Sequence, residues 1–134
     1  GPLGHGQTIK LINNAVAAAN AATLAQALLL GSAAGVDLDA LEQIMAAGSG
    51  GSVMLGLKAG PMRRHDWTTL FKAEHMLKDV RLCLEEADRA GVPFPAASAA
   101  RDALQATVSS GRGDDDFAAL LEAYERFADR RIDE

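Results

Sequence analysis

The chain has 134 residues, a net charge of −5 and a hydrophobic share of 49%, with aromatics at only 4%. That is enough chain for one domain with its own core, and it is too apolar for a disordered polymer. Charges of both signs are interspersed, so there is no basic patch for nucleic acid and no cationic amphipathic surface for a membrane, and no apolar run reaches the roughly 18 residues that cross a bilayer.

The chain opens Gly1-Pro2-Leu3-Gly4-His5-Gly6-Gln7, which reads as a loop because of its three glycines. A Gly-Pro-Leu-Gly start is either the remnant of a removed tag or native sequence, and the chain reads as part of a longer protein. A first helix is expected from about Thr8 to Leu30, rich in good helix formers and free of breakers, with stop signals at Gly31 and Gly35. Within it, Ala15, Ala18, Ala19 and Ala22 form a small-residue stripe. Such a stripe admits a second helix at close range, from this chain or a partner. Asp37 or Asp39 caps a second helix through Met45. Gly48-Ser49-Gly50-Gly51-Ser52 is a flexible turn, and a short helix over Ser52 to Lys58 is expected to end at Gly60-Pro61. A polar loop, Met62 to Thr69, leads to a second long helix over about Leu70 to Ala90, closed by Gly91 with Pro93 beyond. Pro95 starts a further helix to Ser109. Gly111-Arg112-Gly113 turns the chain, and Asp114-Asp115-Asp116 caps a last helix, Phe117 to Ala128. No strand-like alternation of useful length and no repeat of fixed period is present. The expected fold is all-α, about six helices, two of them long: one N-terminal and one near 70–90.

The chemistry-bearing residues are few. Gly4-His5-Gly6 begins like a dinucleotide fingerprint, but Ile9 stands where the third glycine belongs and no strand precedes it. It fails as a phosphate-binding loop too, since Lys10 neither follows a glycine nor precedes Ser or Thr. What remains is a Gly-x-Gly turn feeding a helix, with Lys10 in its first turn and Asn14 on the same face at i+4. A lysine there lies against the positive end of the helix dipole, which favours the neutral amine that acid–base catalysis uses. On spacing alone a solvated lysine beside Asn13 and Asn14 is the favoured reading. Phe71, Glu74, His75 and Lys78 share a second face, which is either an anion site or a charged surface with a Glu74–Lys78 pair. His5, His65 and His75 lack metal-ligand spacing and Cys83 has no second thiol, so neither a metal site nor an internal disulfide is expected, and a cytoplasmic setting is. Met54, Met62 and Met76 read as core fillers, Asp114 to Asp116 as a cap rather than a calcium loop, Arg63-Arg64 as a solvated pair, and Trp67 as the anchor of its loop.

Taken together these stretches resemble a known family. Gly1-Pro2-Leu3-Gly4-His5-Gly6-Gln7-Thr8-Ile9-Lys10-Leu11-Ile12-Asn13-Asn14 is similar to the G-x-x-G-x-G-x-x-x-K-x-x-N-N segment of the β-hydroxyacid dehydrogenases, which include 3-hydroxyisobutyrate dehydrogenase, tartronate semialdehyde reductase and the 6-phosphogluconate dehydrogenases. Phe71, then Leu77-Lys78-Asp79-Val80-Arg81-Leu82, then Ala87, Gly91 and Pro93 look like a second stretch of that family. The resemblance implies that this chain is the helical C-terminal domain, residues 1–134, with the N-terminal Rossmann domain absent, and that the opening residues are at least partly native. It implies Lys10 as catalytic residue. Gly4, Gly6, Asn14 and Phe71 would be substrate-binding, and Lys78 and Asp79 cofactor-binding. The implied cofactor is NAD or NADP, held mainly by the missing domain. The implied partners are a small hydroxy acid, that Rossmann domain, and a second copy in a homodimer. A lysine at position 10 favours alcohol–carbonyl chemistry over the related imine reductases. A second expectation, of another class, is a non-catalytic helical dimerisation module built on the alanine-rich helix.

Overall fold

The computed structural model describes the backbone of residues 2–134 and the side chains of residues 4–134; Gly1 of the first motif lies outside the described residues. Six α-helices follow in order: α1 (Pro2–Ala33), α2 (Leu38–Ala47), α3 (Val53–Arg64), α4 (Ala73–Ala90), α5 (Pro95–Thr107) and α6 (Leu121–Ala128). A π-turn (Val108–Arg112) and a 3-10 turn (Phe117–Leu120) link the last two, and no strand occurs among the described residues. The fold is all-α, as the sequence predicts. α1 runs through the middle and packs on α3, α4 and α5. Its stripe is used within the chain: Ala15, Ala18 and Ala22 are buried, with Leu11, Ala25 and Leu29 on the same face. Small side chains let the helices approach closely, so a core poor in aromatics still fills. Asp37 caps α2 by accepting from the Asp39 and Ala40 amides, and Ser52 caps α3 by accepting from the Leu55 amide. Gly91, at φ 70°, closes α4 in the left-handed conformation that glycine adopts without strain.

Several boundaries differ from the sequence reading. The opening glycines belong to α1 rather than to a loop. A proline is tolerated in the first helical turn, and a helical glycine costs only about 1 kcal/mol against alanine, so a helix already formed propagates through them. The Thr8 hydroxyl donates back to the Gly4 carbonyl at 2.8 Å. Lys10 therefore sits in the third turn, beyond the reach of the helix-terminal dipole, and that part of the argument for its chemistry falls. Gly31 does not stop α1. It lets α2 cross it, since a Cβ there would stand 2.7 Å from the Leu41 Cδ2. α3 passes through Gly60 and Pro61 because its buried face, Leu55, Lys58, Ala59 and Met62, spans them. Packing outweighs the lost amide, and the helix ends at His65 in the left-handed region.

α4 starts at Ala73, not Leu70. Leu70 and Phe71 are held extended because both amides donate to the Asp116 Oδ1 at 3.0 Å. Asp116 also caps the 3-10 turn and pairs with Lys58 at 2.9 Å, both side chains 4% exposed. The Lys58 ammonium lies 4.5 Å from the Phe117 ring centroid. The C-terminal tail is pinned in the same manner: the Ile132 amide donates to the Glu125 Oε2 at 2.8 Å, and the His65 Nε2 meets the same carboxylate at 2.9 Å. Trp67 anchors its loop through an indole N–H to Glu122, 2.8 Å. One further correction concerns hydropathy. Residues Gly4–Ala33 form a helix long and apolar enough, by length and composition, to cross a bilayer. The sequence reading asks for an unbroken apolar run of roughly 18 residues, and Gln26 interrupts this one. Half of the apolar window is buried inside the fold, as befits a central core helix.

Candidate active site

The site is built where the N-terminal half of α1 meets α4. Asn14, half-buried, donates from Nδ2 to the Asp79 Oδ2 at 2.7 Å, which ties the two helices together. Thr8 and Ile12 share an apolar groove with Cys83, Glu86 and Ala87 farther along α4, so the helices run antiparallel. Helical spacing carries Lys10 and Lys78 off the seam on the side away from that groove.

Lys10 is exposed, yet it stands on the same helix line as Ala21 and Leu28, about three and five turns along, and both of these are fully buried. A line covered by the bundle lower down is thus open at Lys10, whose side chain is exposed among the described residues. Of the four lysines, Lys58 and Lys72 are paired with Asp116 and Asp114. Lys10 and Lys78 have no ion pair among the described residues, and the Glu74–Lys78 pair does not form. An ammonium free of carboxylates is available to a ligand oxygen.

Gly6, one turn before Lys10, continues the same ladder. A Cβ added at Gly4 or Gly6 would meet nothing within 4 Å, so the space beside both is open. Phe71 precedes α4 and packs edge-on against Phe117 (6.1 Å) and His75 (6.5 Å). No hydrogen bond or ring contact among the described residues ties it to Lys10 or Asn14. Arg63 is not a solvated base but is clamped by Asp39 at 2.7 Å and by Glu42. Burial, with Glu86 nearby, pushes the Cys83 thiol up. What the sequence reading missed is the buried Lys58–Asp116 pair, which sets the path of the loop carrying Phe71. Its one visible signal was the aspartate run.

In this all-α domain an exposed lysine and an oriented amide thus stand one turn apart on the same side of α1. Residues 4–124 match the family described as NAD-binding of NADP-dependent 3-hydroxyisobutyrate dehydrogenase. The chain belongs to that family of NAD(P)-linked oxidoreductases, the β-hydroxyacid dehydrogenases. It is similar to glyoxylate/succinic semialdehyde reductases 2 (chloroplastic) and 1 of Arabidopsis thaliana, 32% identical to each over 92% of this chain. It spans 34% and 43% of those proteins' own length. In structure it resembles 3-hydroxyisobutyrate dehydrogenase from Salmonella typhimurium, with a TM-score of 0.80 and 26% identity over 87% of this chain and 41% of that one. The fold also matches a Mycobacterium tuberculosis 3-hydroxyisobutyrate dehydrogenase, with a TM-score of 0.78 at 23% identity over 87% of this chain and 42% of that one.

Proposed function

We propose that this chain is the helical C-terminal part of an NAD(P)-dependent 3-hydroxyacid dehydrogenase or reductase, and that Lys10 is its catalytic amine. The carrying observation is the position of Lys10: exposed, without an ion pair among the described residues, on a helix line that is buried at Ala21 and Leu28. The names of the relatives, reductases of glyoxylate or semialdehydes and dehydrogenases of 3-hydroxyisobutyrate or L-threonate, support a small hydroxy acid or its carbonyl partner as substrate. The other wall of the cleft belongs to an N-terminal Rossmann domain, consistent with a chain that spans well under half of those relatives.

The residues present fit a nicotinamide dinucleotide and a substrate beside it: Lys78 is an exposed cation with no ion pair among the described residues, and the open backbone at Gly4 and Gly6 leaves room for the substrate. Such a cofactor, when bound, supplies the hydride acceptor or donor. Lys10 does the rest of the chemistry from this side. As the neutral amine it accepts the proton of the substrate hydroxyl in the direction of oxidation, and as the ammonium it returns a proton to the carbonyl oxygen in reduction. In both directions its N–H groups stabilise negative charge on that oxygen. Asn14 holds the substrate one turn away, and Phe71 is the further substrate-binding residue that the family resemblance implies.

The test is Lys10→Ala in the full-length protein, assayed with 3-hydroxyisobutyrate and with glyoxylate. The expected loss is about 10²- to 10⁴-fold in kcat, with assembly unchanged, while this chain alone turns over neither compound. Retained activity contradicts the reading. Loss of assembly without loss of chemistry supports a non-catalytic dimerisation module instead. A specific observation gives that second role a surface: Ile9, Ile12 and Val16, at 68, 46 and 44% exposure, line the outer face of α1, the kind of apolar patch that a second copy covers.

A further inference from the structure

We infer that Asp79 is a positioning residue that fixes the orientation of the Asn14 amide, and that Asn14 thereby selects a hydrogen-bond donor, the substrate's hydroxyl, rather than its carboxylate. The inference rests on the dehydrogenase reading above and assigns Asp79 a role other than contact with the cofactor.

An asparagine amide can present either its carbonyl or its NH2 to a neighbour, and the two orientations are nearly isosteric. Here the neighbour decides. An ionised carboxylate only accepts hydrogen bonds, so the NH2 must face Asp79, 2.7 Å away. The Asn14 Oδ1 is consequently turned away from Asp79. Asp79 has no basic partner and no second side-chain donor among the described residues, so its bond to Asn14 is charge-assisted and undivided. The contact is half-buried at the seam of two long helices, and rotating the amide would set two oxygens against each other there.

What this leaves for a ligand follows directly. The Oδ1 accepts, so it suits an O–H. A substrate carboxylate placed there would face the carbonyl oxygen, with the Asp79 charge just behind it, and would be repelled. Lys10 lies one turn along the same face, so one substrate oxygen can sit between an acceptor and an amine. The hydroxyl has a single proton: it rests on the Asn14 Oδ1 in the ground complex and turns to the neutral Lys10 amine, which takes it as hydride leaves the carbon.

The experiment uses the full-length holoenzyme and the oxidation of 3-hydroxyisobutyrate, comparing Asp79→Ala, Asp79→Asn, Asn14→Ala and the double variant Asn14→Ala/Asp79→Ala. A hydrogen bond to a charged group is worth roughly ten- to a hundredfold, so Asp79→Ala lowers kcat/KM by about that factor, with the KM for the nucleotide unchanged. Asp79→Asn retains activity within roughly threefold, because its Oδ1 accepts the same N–H. The double variant matches Asn14→Ala alone, since Asp79 has nothing left to orient. Losses that multiply in the double variant, or a raised nucleotide KM in Asp79→Ala, overturn the inference. So does Asp79→Asn as damaged as Asp79→Ala. These outcomes are separable from failure of the underlying reading, which shows as a fully active Lys10→Ala variant or as a wild-type protein that oxidises no short hydroxy acid; either of those overturns both.

Discussion

A lysine performs acid–base chemistry only where its amine escapes the carboxylates that would hold it as an inert cation. With 18 acidic residues in the chain, two lysines are held in that way, and among the described residues Lys10 and Lys78 are not. The sequence singles out Lys10 through the glycine–lysine–asparagine segment and its family resemblance, and Lys78 through the resemblance of the Leu77–Leu82 stretch. The dipole argument for Lys10 was not sound, because it depended on a helix start that lies some two turns earlier. The partnership of Asn14 with Asp79 was not legible at all. It joins residues 65 positions apart, and no local pattern encodes such a pair. The single cysteine offers an independent check at this scale. Cys83 is 2% exposed, and burial raises its thiol pKa, so little thiolate forms near neutral pH. A thiol reagent at pH 8 should label the native protein at least about tenfold more slowly than the unfolded one, with the rate rising as the pH rises; equal rates would show that the α1–α4 seam is open.

At the scale of elements, caps and glycine stops were readable where they act locally: Asp37 and Gly91 lie where the sequence places them. Boundaries fixed by distant residues were not. The start of α4 is set by Asp116, more than forty residues away, whose carboxylate holds the Leu70 and Phe71 amides extended while accepting from Lys58 and Ala118. Pro61 reads as a breaker, yet α3 continues because the buried face on either side of it must stay in register. Asp116→Ala strands a buried ammonium and three amides at once, so it should destabilise the protein by about 3–5 kcal/mol in denaturant unfolding. Lys58→Met leaves the carboxylate with those amides and should cost clearly less. Equal small losses would mean that the pair is solvated rather than buried.

For the whole molecule, composition announced the architecture. A chain rich in alanine and poor in aromatics fills its interior by close helix approach, and α1 is the element that makes this possible. Ala18→Leu, at a position with no exposed surface, should overpack the α1 contacts and cost about 1–3 kcal/mol in unfolding experiments; a neutral effect would show a looser core than described. At its N-terminal end the same central helix is covered on one side by α4, and the other side, the wall that bears Lys10, is exposed. On the proposal made here, that wall faces a nucleotide-binding neighbour across the substrate. The most direct test is the single-turnover rate of hydride transfer in full-length Lys10→Ala, with and without added ethylamine. The account predicts a rate reduced by about 10²-fold or more and a partial, saturable recovery as the free amine takes the vacated place. Hydride transfer at the wild-type rate in the variant, with or without the amine, would contradict it.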